Sequence, residues 1–293
     1  TVLDHIGNTP LVPLPRIDSF IPTVFAILFL SDVVTAVLIY GQFSATGSRA
    51  LLVLAGSFLF SALIAVGHVL TFPGVFSPTG LLGAGPQTAA WLNVLWRLGL
   101  TAPMVLYAVQ RSGQQANNGP QPTPSSAIAW SVTIVVVAAL ALIALVTTGH
   151  GLLPPVLAGG QMLPLADYVN GVIAFTNAIA LLLLLACTRG RSVLDLWLIV
   201  AVFSMLVESV VITFFIQARF SLGFYAVRII GLPVSNAVLI VLLWETMRIY
   251  AALSISIRDL QRERANRLTS AEAVLAAVAH QIRQPLTNIN LLA

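Results

Sequence analysis

The sequence contains no lysine, and all fourteen of its basic residues are arginine. That absence excludes Schiff-base chemistry, so neither retinal nor pyridoxal phosphate can be attached to this chain. Acidic residues are also scarce, ten in 293, and charged residues make up 8% of the chain against 58% hydrophobic. With a mean hydropathy of +0.96, this balance belongs to polytopic membrane proteins rather than soluble ones. A single cysteine, Cys187, cannot form an intramolecular disulfide. The net charge of +4 does not point to nucleic acid, because arginines at the ends of membrane spans follow from topology. No basic start followed by a cleavage site marks residues 1–20 as a signal peptide; they read as an extended lead-in.

What the chain has in abundance is long apolar runs. Seven of them, at 22–40, 50–72, 89–110, 127–148, 166–187, 194–217 and 223–247, each approach the ~20 residues that cross a bilayer. The expected fold class is therefore all-α, a polytopic membrane bundle of about seven transmembrane helices continuing into a cytoplasmic coiled-coil signalling helix. A seven-span retinal protein is excluded by the missing lysine. The string Ile6-Gly7-Asn8-Thr9-Pro10-Leu11 resembles the opening of the cysteine synthase family, and fails on the same ground. The expected divisions are a lead-in at 1–21, a membrane sensor domain at 22–248, a signalling helix at 249–270 and the start of a dimerisation domain at 271–293. Loops 73–88 and 149–165, rich in Gly and Pro, are expected to cap one face, and the polar tract 111–126 to be a mobile linker on the other.

Ionisable groups at bilayer depth need partners or a role. Asp32, His68, Arg97, Glu208 and Arg228 all map to the middle or outer half of their spans. Two readings follow: a polar cavity that senses a small ligand, proton or metal, or interhelical pairing of Asp32 or Glu208 with Arg97 or Arg228. His68 has no Asp, Glu or Cys at ligand spacing, so no metal site is expected. Pro103 and Pro233 are candidate kinks.

Beyond Arg248 the all-round apolar pattern narrows to a stripe. Leu253, Ile257, Leu260, Arg264, Leu268, Ala271, Leu275, Val278 and Ile282 are spaced by threes and fours, a coiled-coil seam with one extra four-residue step. Such a helix can dimerise, or it can lie on a membrane surface with Arg258, Arg262, Arg264 and Arg267 on lipid phosphates. At roughly 100° per residue, His280 points away from the stripe of Ala271, Leu275, Val278 and Ile282. A water-facing imidazole has a ring nitrogen free to act as a nucleophile. Pro285 removes the donor that the carbonyl of Gln281 would use and favours a bend one turn on.

The string His280-Gln281-Ile282-Arg283-Gln284-Pro285-Leu286 resembles the phosphoacceptor box of bacterial sensor histidine kinases. The resemblance implies that His280 takes a phosphoryl group from ATP and passes it to an aspartate of a response regulator. Gln281 stands where that family commonly has the Glu or Asp credited with accepting the histidine proton, which an amide cannot do. Gln284 occupies the position from which a small polar residue orients water for dephosphorylation, and its amide can also bond water. Loop 73–88, with His68-Val69-Leu70-Thr71-Phe72 before it and Trp91 after it, resembles the fourth class of membrane-associated sensor (MASE) domains. That resemblance extends over about residues 10–250, including Pro13-Leu14-Pro15-Arg16 and Gly41-Gln42-Phe43.

Together these resemblances imply the sensor and phosphoacceptor portion of a multi-pass inner-membrane histidine kinase with its C-terminus in the cytoplasm. Its partners would be a second copy of itself, a response regulator and membrane lipids, with no nucleic acid. ATP and Mg2+ belong to the full-length kinase and no cofactor to this chain. Because the chain starts without methionine and stops just after the box, it is expected to be a piece of a longer protein, inactive alone. A transporter or channel with a regulatory tail is the alternative drawn from the same buried charges.

Overall fold

A computed structural model describes residues 14–113, 123–159, 161–188, 190, 192–215 and 220–290, with the backbone alone for 214–215, 234–235, 273 and 276–290. Among the described residues, seven helices are long and apolar enough to cross a membrane. They are α1 (Phe20–Thr46), α2 (Arg49–Thr71), α3 (Thr88–Gly113), α4 (Pro124–Thr148), α5 (Pro164–Leu183), α6 (Val193–Phe215) and α7 (Leu222–Asn290). A π turn, Leu184–Thr188, extends α5. Without water, each backbone polar group must be satisfied inside its own segment, and the helix is how a single run achieves this. Breaks fall where the chemistry demands: Gly47, at φ 68°, closes α1 by donating to the carbonyl of Phe43, and Pro124 and Pro164 open α4 and α5.

The chain divides into two units, Thr1–Leu242 and Leu243–Ala293. In the first, α1 packs on α2, α2 on α3 and α4, α3 on α5, and α5 on α6. The part of α7 in this unit joins the same apolar core through Phe224, Tyr225, Val238 and Leu242. Helix α2 is central, with 67% of its apolar window buried, whereas α4 buries 6% and turns Trp130, Ile134 and Val137 outward as a lipid-facing surface would.

Two apolar clusters dominate this unit. One gathers Ile39, Leu54, Met104, Tyr107, Leu198 and Leu242; the other gathers Ile21, Phe25, Phe72, Phe224 and Tyr225. Along α1, α3 and α7 the polar residues Asp32, Arg97 and Asn236 lie between the positions that feed the two clusters, with Thr101 one turn beyond Arg97. The bundle therefore carries a polar layer sandwiched between greasy ones.

The face at which α1 starts is capped by loops. Arg16 donates to the carbonyl of Pro73 (2.6 Å) and pairs with Asp18 (2.6 Å). Its guanidinium fills the space that a Cβ at Gly74 would need, and Gly74 sits at φ +84°. The Tyr225 hydroxyl donates to the carbonyl of Pro15 (3.0 Å), tying the lead-in to α7. Between α4 and α5 the loop expected to be a cap holds a turn of 3-10 helix, His150–Leu152, and a small antiparallel pair, β1 (Leu157–Ala158) with β2 (Gln161–Met162). Gln87 pins that pair: its amide nitrogen donates to the carbonyl of Leu157 (2.6 Å), and its oxygen accepts from the backbone N–H of Val156 (3.0 Å).

In the second unit, residues 243–290 are helical. The seam residues Leu253, Ile257, Leu260 and Leu268 are exposed, 46–66% each. Ion pairs Arg262–Asp259 and Arg267–Glu263 run along the helix.

Candidate functional site

The polar layer is built from short side chains that reach across neighbouring helices. Buried Asp32 on α1 accepts from the Ser61 hydroxyl of α2 (2.5 Å), and Ser61 accepts from the Trp96 indole of α3 (2.6 Å). Ser31 donates to Asn236 of α7. On the other side of α3, Arg97 donates from Nη2 to Ser209 of α6 (2.9 Å) and lies 3.9 Å from Glu208. Asn177 of α5 completes the ring, accepting from Thr101 (2.8 Å) and donating to Ser209 (2.9 Å) and the carbonyl of Met205 (3.2 Å). Desolvated polar groups are costly alone, and here each finds a partner on another helix. Arg228 donates to its own helix at Phe224 (2.9 Å) and stacks over that ring, 3.8 Å from its centroid.

Two cavities open from this layer. The smaller, about 40 Å3, is lined by Phe25, Trp96, Arg97, Glu208 and Arg228 among others. The larger, about 100 Å3, is bordered by His68, Asn93, Arg97, Asn170 and Arg228, with the β1–β2 pair contributing Val156, Leu157 and Met162. Both exceed the ~10–15 Å3 that one water requires. Asn93, Arg97 and Arg228 line both. His68 packs its ring against Phe25 at 4.4 Å and Phe72 at 5.6 Å.

Four of the five candidate sensing residues, His68, Arg97, Glu208 and Arg228, thus border one or both cavities. Asp32 stands two hydrogen bonds behind Trp96, through Ser61. Of the pairings open to the arginines, Arg97 with Glu208 stands within ion-pair distance. No group of three or more His, Cys, Asp or Glu among the described residues could hold a metal ion. His280, Gln281 and Gln284 fall on the helical backbone of α7, and their side chains lie outside the described residues.

Some partners were not expected. Asn93, Asn177 and Ser209 carry no charge, and within apolar runs nothing marks such residues as partners. A second cluster lies where α3 ends and α6 begins. Asp195, fully buried, accepts from the Tyr107 hydroxyl (2.5 Å), with Arg111 at 3.8 Å. Ser192 and Asp195 bond each other's backbone N–H groups, at 3.2 and 3.1 Å, a capping box whose S-x-x-D spacing is readable in the chain.

Seven apolar helices joined by an internal polar layer define a multi-pass membrane protein. Comparison with known families agrees: residues 15–250 match the family described as membrane-associated sensor, integral membrane domain. The chain belongs to that family, and its membrane domain is a sensor domain. No curated protein and no solved structure matches the chain.

Proposed function

We propose that the chain is the sensing and phosphoacceptor portion of a two-component histidine kinase, in which the state of the membrane domain controls phosphorylation of His280. The observation that carries this reading is the seam on the second unit. Leu253, Ile257, Leu260 and Leu268 leave an apolar stripe open to solvent, which a second copy of the same helix would cover. The stripe leads along α7 to the string resembling a phosphoacceptor box, with Pro285 behind it.

In this reading His280 is the nucleophile. Gln284 can orient a water, and Gln281 cannot serve as the base that an acidic residue would provide. ATP and Mg2+ are held by a catalytic domain outside this chain, and the phosphoryl group passes to an aspartate of a response regulator. In the sequence, Arg49, Arg111, Arg189, Arg191 and Arg248 lie at the expected inner ends of the spans and Arg16, Arg219 and Arg228 at the outer flanks, a bias that supports placing the C-terminus in the cytoplasm of an inner-membrane protein.

The test uses the full-length protein in membranes supplied with labelled ATP. Acid-labile phosphate on the wild type, absent from His280→Gln while the variant still folds and dimerises, is the expected result. Phosphate that persists in the variant overturns the assignment.

A further inference from the structure

We infer that an apolar groove between α2, α3 and α4 holds one acyl chain of an anionic phospholipid, with the phosphate at Arg49. The residues of the polar layer do not line this groove, and its occupancy is independent of the chemistry at His280.

The groove follows from how α4 packs. That helix lies closer to α2 than to α3, with Val135 against Gly56, and leaves a space of about 800 Å3 beside α3. Its walls include Leu52, Val53 and Phe60 of α2, Ala102 and Leu106 of α3, and Ile134 of α4. The hydroxyls on the same walls are engaged: Ser57 donates to the carbonyl of Leu54 (2.7 Å), Ser131 pairs with Tyr40 (2.9 Å), and Ser126 donates to the carbonyl of Thr123 (2.9 Å). What remains is a hydrocarbon surface, suited to a hydrocarbon occupant.

Length selects that occupant. From Ser126 to Ala138 the α4 wall runs about 18 Å at 1.5 Å per residue, close to one leaflet of a ~30 Å hydrocarbon core. The groove starts at the end of the bundle where α2 and α4 begin and α3 finishes, and it stops at mid-depth. There Ile64, Leu92, Ala139 and Val146 close it, and Ile143 fills the space that a Cβ at Gly67 would need. A spanning helix of a second copy needs the whole depth, ~20 residues, and would be stopped halfway. An acyl chain anchored at the surface ends at that depth.

Charge selects the headgroup. Arg49 opens α2, and Leu52, Val53, Gly56 and Phe60 stand three, four, seven and eleven residues further on, so the arginine and the groove share one face of the helix. Arg49 is exposed, and among the described residues it forms no ion pair. Arg111, at the same end, stands 3.8 Å from buried Asp195. A phosphate one turn beyond the groove therefore meets an uncommitted guanidinium, whose planar fork suits it. Trp130, 68% exposed on the α4 rim, suits the boundary between headgroups and chains.

The experiment is a native mass spectrometry titration of the full-length protein with phosphatidylglycerol and phosphatidylcholine of the same chains, and with oleate. Phosphatidylglycerol should bind about fivefold more tightly than phosphatidylcholine, the contribution of one arginine at a membrane surface, and Arg49→Gln should remove that preference. Ala102→Leu fills an exposed position on the groove wall and keeps every charge, so it should weaken both phospholipids. Because one molecule spans both features, the two substitutions combined should weaken phosphatidylglycerol by less than the product of their separate effects. No preference for phosphatidylglycerol, a preference that survives Arg49→Gln, or effects that simply multiply would overturn the inference. Oleate that binds as tightly as phosphatidylglycerol gives the groove to a fatty acid, and a dimer that Ala102→Leu separates gives it to a second copy; either result also overturns it.

Discussion

Replacing Asn177 with leucine tests whether the polar layer, rather than apolar packing alone, holds the bundle in one arrangement. Asn177 is 1% exposed and makes three hydrogen bonds, to Thr101 on α3 and to Ser209 and Met205 on α6. Leucine keeps the number of side-chain heavy atoms and the branch at Cγ, so the change removes the bonds while adding some bulk. Bonds between membrane helices are worth about 0.6 kcal/mol each on average, which gives about 2 kcal/mol for the set. Ser209 retains its bond from Arg97 and its own donation to Met205, so the loss should not grow much beyond that. A loss of about 2 kcal/mol multiplies the unfolding constant by roughly 30. Reversible unfolding in mixed detergent, followed by helical circular dichroism, would read it. A change below about 0.5 kcal/mol, the scatter of substitutions that touch no such feature, would refute the argument.

Gly99→Ala should destabilise the same unit, because its Cβ would stand 2.0 Å from Cε1 of Phe60 where α2 and α3 meet; about 1–3 kcal/mol is expected in the same unfolding assay, and a neutral result would show that the ring moves freely. Tyr107→Phe takes the hydroxyl from a fully buried carboxylate, leaving Asp195 with Arg111 and the Ser192 amide, and should cost about 1.5–3 kcal/mol by that measure; Asp195→Asn together with Tyr107→Phe should cost less than the two separate losses combined, since the charge is then gone. Gln281→Glu should raise the rate of His280 phosphorylation in the full-length kinase by about 10²-fold if a missing base limits it, and an unchanged rate would remove that explanation.

The seven spans were legible because a bilayer imposes a length and a hydropathy that no other environment requires. The expected first span, 22–40, falls within Phe20–Thr46, and the loop rich in Gly and Pro does begin at Pro73. The positions of Arg97 and Glu208 in the outer halves of their spans made them candidates for pairing, and they stand at 3.9 Å. Which of two carboxylates each arginine would meet depended on how the helices pack, and hydropathy carries no such information. Asp32 therefore bonds Ser61 where an arginine was equally open. Asn177 and Ser209 were invisible for a related reason: uncharged polar residues are common in spans, and only neighbours on other helices make them a ring. The β1–β2 pair had no alternating pattern long enough to read, and it owes its place over the cavity to Gln87, some seventy residues away in the chain.

The central claim is that α7 acts as a dimeric signalling helix, and cysteine cross-linking tests it most directly. Cys187 is the sole cysteine, so Cys187→Ser gives a clean background in the full-length protein. Leu253→Cys, Ile257→Cys and Leu260→Cys lie on the seam; Ile255→Cys and Arg262→Cys lie roughly half a turn away on the same helix. Ile255 is as apolar and as exposed as the seam residues, so hydrophobicity alone would not separate the two sets. Oxidation in native membranes should give disulfide-linked dimers for the three seam positions and not for the other two. Equal cross-linking at all five, or none at the seam, would contradict the account.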